Sequence, residues 1–114
     1  MAYFSGCAAE ASVARGYVDR GCDLLESRWR GQSGEIDLIF FDAGALVFVE
    51  VKKARSFDAA AQQLRPAQAR RIHMAACEYL AHASDGQLSE MRFDLGLVNS
   101  AGEIDIREGA FSHL

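Results

Sequence analysis

Three charged residues interrupt the most hydrophobic stretch of the chain. Asp37 lies within EIDLIFF, residues 35–41, and Glu50 and Lys52 lie within LVFVEVK, residues 46–52. Both runs are rich in β-branched and aromatic residues, and Asp42-Ala43-Gly44-Ala45 between them reads as the turn of a β-hairpin. Side chains alternate faces along a strand. Glu35, Asp37, Ile39 and Phe41 therefore share one face of the first strand, and Leu46, Phe48, Glu50 and Lys52 one face of the second. A hairpin symmetric about Ala43 and Gly44 sets Asp37 directly opposite Glu50, and Glu35 opposite Lys52. A slip of one residue would undo that pairing.

Two carboxylates facing each other across a sheet repel, the more so as they are buried. A shared proton, a neighbouring cation or a bound dication would each relieve the repulsion. Lys52 brings a single charge against Glu35, Asp37 and Glu50 together. Oxygen donors with vacant positions suit Mg²⁺ or Mn²⁺, which keep waters and take phosphate oxygens. Such an ion polarises a phosphoryl oxygen and acidifies a bound water, as metal-assisted phosphodiester hydrolysis requires. The chain carries ten Arg and only two Lys, and the two are adjacent, Lys52 and Lys53. An ammonium can orient or activate a water, whereas a guanidinium stays protonated. The plainer reading is an edge hairpin whose charges guard against aggregation.

The elements that must hold these residues follow from the flanking pattern. Residues 5–21 are Ala-rich, with apolar positions at helical spacing, Ser5 as a candidate cap and Gly21 near the end. Residues 22–30 read as a weaker strand and residues 30–34 (RGQSG) as a loop. A connection over 56–65 leads to a second helix over 66–82, opened by Pro66, with Ile72, Ala75, Ala76, Tyr79 and Leu80 as its apolar face. Gly86 closes that region. Residues 91–98 and 103–107 read as two last strands around a turn at 99–102. The order α-β-β-β-α-β-β describes an α/β domain with a central sheet flanked by helices. Phe40, Phe41, Phe48 and Cys77 are expected to pack inside it, and Trp29 is more often a core residue than a stacking platform.

At 114 residues, with half of them apolar, the chain is sized for one domain and one modest core. No apolar run is long enough for a membrane span, and no basic segment followed by an apolar one marks export. Three widely separated cysteines form no disulfide framework, and His73, His82 and His113 do not complete zinc spacings with them. A reducing cytoplasm is the expected setting. The net charge of −4 argues against a polyanionic partner, but its distribution is uneven. Residues 28–71 hold eight Lys or Arg against five acids; residues 1–27 hold two against four, and residues 72–114 two against seven. A local basic stripe acts within a Debye length of about 8–10 Å. Arg28, Arg30, Lys53, Arg55, Arg70 and Arg71 are thus candidates for nucleic-acid contacts, the alternative being a solvated mixed-charge surface. Arg28-Trp29-Arg30 interleaves cations with an aromatic, a pattern that can also stack bases.

GEIDLI (34–39), FVEVK (48–52) and RFD (92–94) resemble the signature blocks of the YraN family, small bacterial proteins of the restriction-endonuclease-like, or PD-(D/E)XK, superfamily near archaeal Holliday-junction resolvases. Glu10, Ala14, Tyr17 and Gly21 also match that family's spacing, so the resemblance covers nearly the whole chain. It implies a single restriction-endonuclease-like domain over 1–114, with a mixed sheet. It also implies a catalytic set of Glu10, Asp37, Glu50 and Lys52. Asp37 and Glu50 would hold the metal, Lys52 would orient the water, and Glu10 would reach the same region from the first helix. Glu35 would be a structural partner. Two positions depart from the family's habit: Arg28 stands where Asn is usual, and Gln68 where Lys is usual. Gln68, with Arg70 and Arg71, can still meet a phosphate. The expected activity is a Mg²⁺- or Mn²⁺-dependent endonuclease on DNA, branched DNA included and RNA not excluded, working as a two-fold dimer. The rivals are a nucleic-acid-binding module that has lost turnover, and an assembly domain with no nucleic-acid role.

Overall fold

The computed structural model describes the backbone of residues 2–83 and 90–113, and the side chains of residues 7–82 and 90–113. Helix α1 (Ala2–Asp19) leads into strands β1 (Asp23–Arg30), β2 (Glu35–Asp42) and β3 (Ala45–Lys53). Helices α2 (Phe57–Ala61) and α3 (Pro66–Ala83) follow, then β4 (Glu90–Val98) and β5 (Ile104–Arg107). The strands form one sheet in the order β1-β2-β3-β4-β5. Only β3 and β4 are parallel, because α2 and α3 carry the chain back across the sheet between them. The fold is α/β, a five-stranded mixed sheet flanked by helices, consistent with a restriction-endonuclease-like core.

The hairpin register is the symmetric one, from Asp42 opposite Ala45 to Leu38 opposite Val49. Ala43 and Gly44 both take positive φ, 50° and 89°, as a two-residue turn matched to strand twist requires. Helix α1 covers one sheet face, where Val13 and Tyr17 pack on Leu38, Phe40, Val47 and Val49. Helices α2 and α3 cover the other, with Ala60, Ala69, Ile72, Ala75, Ala76 and Tyr79 packed on Ile39, Phe48, Phe93 and Leu95.

Four expectations change. Helix α1 begins at Ala2, so Ser5 lies within it. The 56–65 connection contains the short helix α2, capped by Ser56, whose Oγ accepts the Ala59 N–H at 3.1 Å. One and a half turns are too few for a helical period to show in sequence. Cys77 is exposed: Ala75, Ala76 and Tyr79 form the buried stripe of α3, and Cys77 falls one step outside it. Phe41 is also exposed, near the hairpin turn. The helix end expected at Gly86 lies outside the described residues.

The contact of α1 with β4 depends on Gly96, where an added Cβ would stand 2.6 Å from Val13 Cγ1. Gly96→Ala is therefore expected to push α1 outward and cost about 1–3 kcal/mol, read as a lower urea midpoint at unchanged m-value.

Candidate metal centre

The two strands of the hairpin part at the level of Asp37. The ladder ends at Leu38 and Val49, and one step beyond it Asp37 Oδ2 accepts the Val51 N–H at 2.8 Å. The pleat also loses phase here. Leu38 and Phe40 pack under α1 and Ile39 under α3, yet Ile36 joins the α3 side, where strict alternation would exclude it. On the neighbouring strand, Arg28 lies between Ser27, opposite Leu38, and Trp29, opposite Ile36. It adopts φ 53°, a left-handed conformation that costs a non-glycine residue energy. Asp37 thus sits where both strands of the pair are irregular, close to groups from either face of the sheet.

Glu50 is buried, and its carboxyl and that of Asp37 are hydrogen-bonded to each other. Glu50 Oε2 also receives the Lys52 ammonium at 3.3 Å and the Gln68 amide at 2.9 Å. Gln68 reaches it from the first turn of α3, which Pro66 opens. Burial, and then the Asp37 charge, push the Glu50 carboxyl up to about 8, against the opposing pull of Lys52. Burial also raises Asp37, although the Val51 N–H favours its charged form. The raised Glu50 carboxyl favours a proton shared within the pair at neutral pH, which together with the Lys52 ammonium relieves the repulsion without a metal.

This has a consequence for stability. A group whose folded pKa lies near 8 and whose ordinary value is 4.5 binds more protons folded than unfolded between those limits. Its contribution is complete below about pH 4.5 and is lost as pH rises through about 8. Glu50→Gln mimics the neutral acid, so in chelator the variant is expected to melt above wild type, with a margin that widens from pH 5.5 to pH 8.5.

Glu10 comes from α1, with its Oε1 held by Arg28 Nε at 2.9 Å; Arg28 Nη2 also meets Cys7 Sγ at 3.0 Å. Burial raises the Glu10 carboxyl, Arg28 opposes this, and the charges of Asp37 and Glu35 reach it. Glu35 lies opposite Arg30, whose guanidinium is 3.6 Å away, so its expected pairing with Lys52 is replaced by one across the other strand pair. Lys53, Arg55, Arg70 and Arg71 are exposed, and Arg71 borders the β1–β2 loop at Gly34. Trp29 is a packing residue, edge-on to Tyr79 at 5.2 Å.

The structure therefore gathers Asp37, Glu50, Lys52 and Gln68 directly, with Glu10 within electrostatic reach. Among the described residues no three His, Cys, Asp or Glu side chains converge as a ready-made cation site. The donors on offer are the two facing carboxylates, which fit a hard dication that retains several waters. Glu78 has a role that sequence reasoning missed. Its carboxylate takes the backbone N–H groups of Gln32 and Ser33 and the Ser33 hydroxyl, which fastens the β1–β2 loop to α3. The one sequence signal was Gly31, where a Cβ would run into Glu78 Oε1.

The family model described as "Uncharacterised protein family UPF0102" matches residues 9–98, the span from α1 to the end of β4 that contains every group just described. The chain belongs to UPF0102. A UPF0102 protein of Ruegeria pomeroyi is 50% identical over 111 residues, covering 97% of this chain and 90% of the relative. One from Roseobacter denitrificans is 49% identical over 112 residues, covering 98% and 87%. Membership of UPF0102 agrees with the resemblance carried by the hairpin and RFD blocks. Among the described residues no helix of this UPF0102 chain is long and apolar enough to cross a membrane.

Proposed function

We propose that this protein is a Mg²⁺- or Mn²⁺-dependent endonuclease that hydrolyses phosphodiester bonds of DNA, branched DNA included. The observation that carries the reading is the hydrogen-bonded pair of carboxyls, Glu50 buried and Asp37 half-buried, with the Lys52 ammonium on one Glu50 oxygen. Buried like charges are costly, and a hydrophobic pair would stabilise the sheet better at that place. A dication held by Asp37 and Glu50 would supply Lewis acidity toward a phosphoryl oxygen and a water of lowered pKa. Lys52 is placed to orient that water and to balance the charge. Gln68 fixes the Glu50 rotamer from α3, and the Val51 N–H fixes Asp37. Arg30, Lys53, Arg55, Arg70 and Arg71 would meet the phosphates. A two-fold dimer would present two such sites to a branched substrate, and free cysteines suit a cytoplasmic setting.

A second reading has its own support: Glu50 is already satisfied by Lys52 and Gln68, and Glu10 by Arg28, without a metal. A nucleic-acid-binding module without turnover would look the same. The purified protein with Mg²⁺ or Mn²⁺ is expected to cut flapped or four-way DNA, and EDTA to stop it. Salt-sensitive binding of a broad panel of DNA and RNA, all of it left intact, would replace the nuclease with the binding module.

A further inference from the structure

Arg28 is the cation closest to this site whose backbone is forced into an unfavourable conformation. At φ 53° it sits in the left-handed region, at the register step opposite Asp37. Its guanidinium is directed to α1, where Nε binds Glu10 Oε1 at 2.9 Å and Nη2 meets Cys7 Sγ. Side-chain exposures of 36% for Arg28 and 18% for Glu10 place this ion pair where water screens it only partly. The charges of Asp37 and Glu35 nevertheless reach Glu10. As held, Glu10 does not converge with Asp37 and Glu50 into a three-carboxylate cluster.

From this geometry we propose that Arg28 is a positioning residue, a latch that keeps the Glu10 carboxylate off the metal held by Asp37 and Glu50. The inference rests on the metal-centre reading above and adds a determinant of its ligand number. With Arg28 in place the protein offers two carboxylates and the guanidinium supplies the charge balance for Glu10. With Arg28 removed, Glu10 becomes a third anionic oxygen donor, and hard dications bind more tightly as ligand charge rises.

Arg28→Asn removes the cation with a residue that tolerates the left-handed conformation, so the strand is expected to stay intact. In calorimetric titrations of the full chain with Mn²⁺ alone, R28N is expected to bind at least about fivefold more tightly than wild type, as the added ligand charge requires. The gain is expected to vanish in R28N/E10Q, since it comes from Glu10. Equal or weaker binding by R28N overturns the latch. So does a gain that persists in R28N/E10Q, because that is the mere loss of a nearby positive charge. Each of those outcomes leaves the metal centre standing, whereas no Mn²⁺ binding by either wild type or R28N removes the centre and the latch together.

Discussion

Asp37→Ala is expected to lower Mn²⁺ affinity by about 100-fold or more and to abolish metal-dependent cleavage, because it removes one of the two carboxylates proposed to hold the metal. The variant should remain folded. It leaves the Val51 N–H without its carboxylate acceptor, a loss of about 1 kcal/mol, but it also removes the half-buried acid that faces Glu50. Circular dichroism and calorimetric Mn²⁺ titration on the same sample separate the two effects. The wild-type titration should also depend on pH. A dication displaces the proton that the Asp37–Glu50 pair shares, so affinity is expected to rise with pH up to about 8, by as much as about tenfold per unit. An Asp37→Ala protein that binds Mn²⁺ as wild type does, with the same pH profile, would remove Asp37 from any metal centre.

The largest expected effect on stability lies elsewhere, at the other acid in a hydrophobic strand. Asp94 on β4 is fully buried under α1. Its carboxylate accepts the Tyr17 hydroxyl at 2.7 Å, the Arg92 guanidinium at 2.9 and 3.0 Å, and the Gly109 N–H at 2.9 Å. One side chain thereby ties α1, β4 and the segment after β5. Asp94→Ala strands a half-buried cation and two polar groups, at a cost of about 3–5 kcal/mol. For a chain of this size that lowers Tm by roughly 10 °C or more. Asp94→Asn, which keeps the shape and part of the hydrogen bonding, should lose less. A thermal melt of Asp94→Ala within a degree or two of wild type would show that the network contributes little. Asp94 belongs to the RFD block, and its saturated partners assign it to structure, on the face opposite Glu50.

The hairpin was legible because its signals are local. β-Branched and aromatic runs of near-equal length around Ala43 and Gly44 determine both strands, the turn and, through the turn length, a register that opposes Asp37 and Glu50. Pro66 and the stripe ending at Tyr79 likewise determine α3 and its buried face. The acid pair itself was detectable as a breach of the hydrophobic pattern, since natural sequences depart from local consistency where function or strain requires it.

Other features depend on contacts between residues distant in sequence. Nothing near Arg28 announces a left-handed residue in a strand, nor that its guanidinium reaches Glu10, eighteen positions earlier. Strict alternation put Glu35 against Lys52, and the loss of pleat phase at Asp37 gave Glu35 to Arg30 instead. Gln68 looked like part of a helix surface until the packing of α3 brought it to Glu50, and Glu78 until the β1–β2 loop closed on it. Periodicity and turn chemistry act over a few residues, so the sequence alone determined which elements form and where an acid breaks them. Which of those acids share a proton, take a guanidinium or bind backbone N–H groups was decided by the tertiary structure, since the energy of each depends on burial and on partners that only folding supplies.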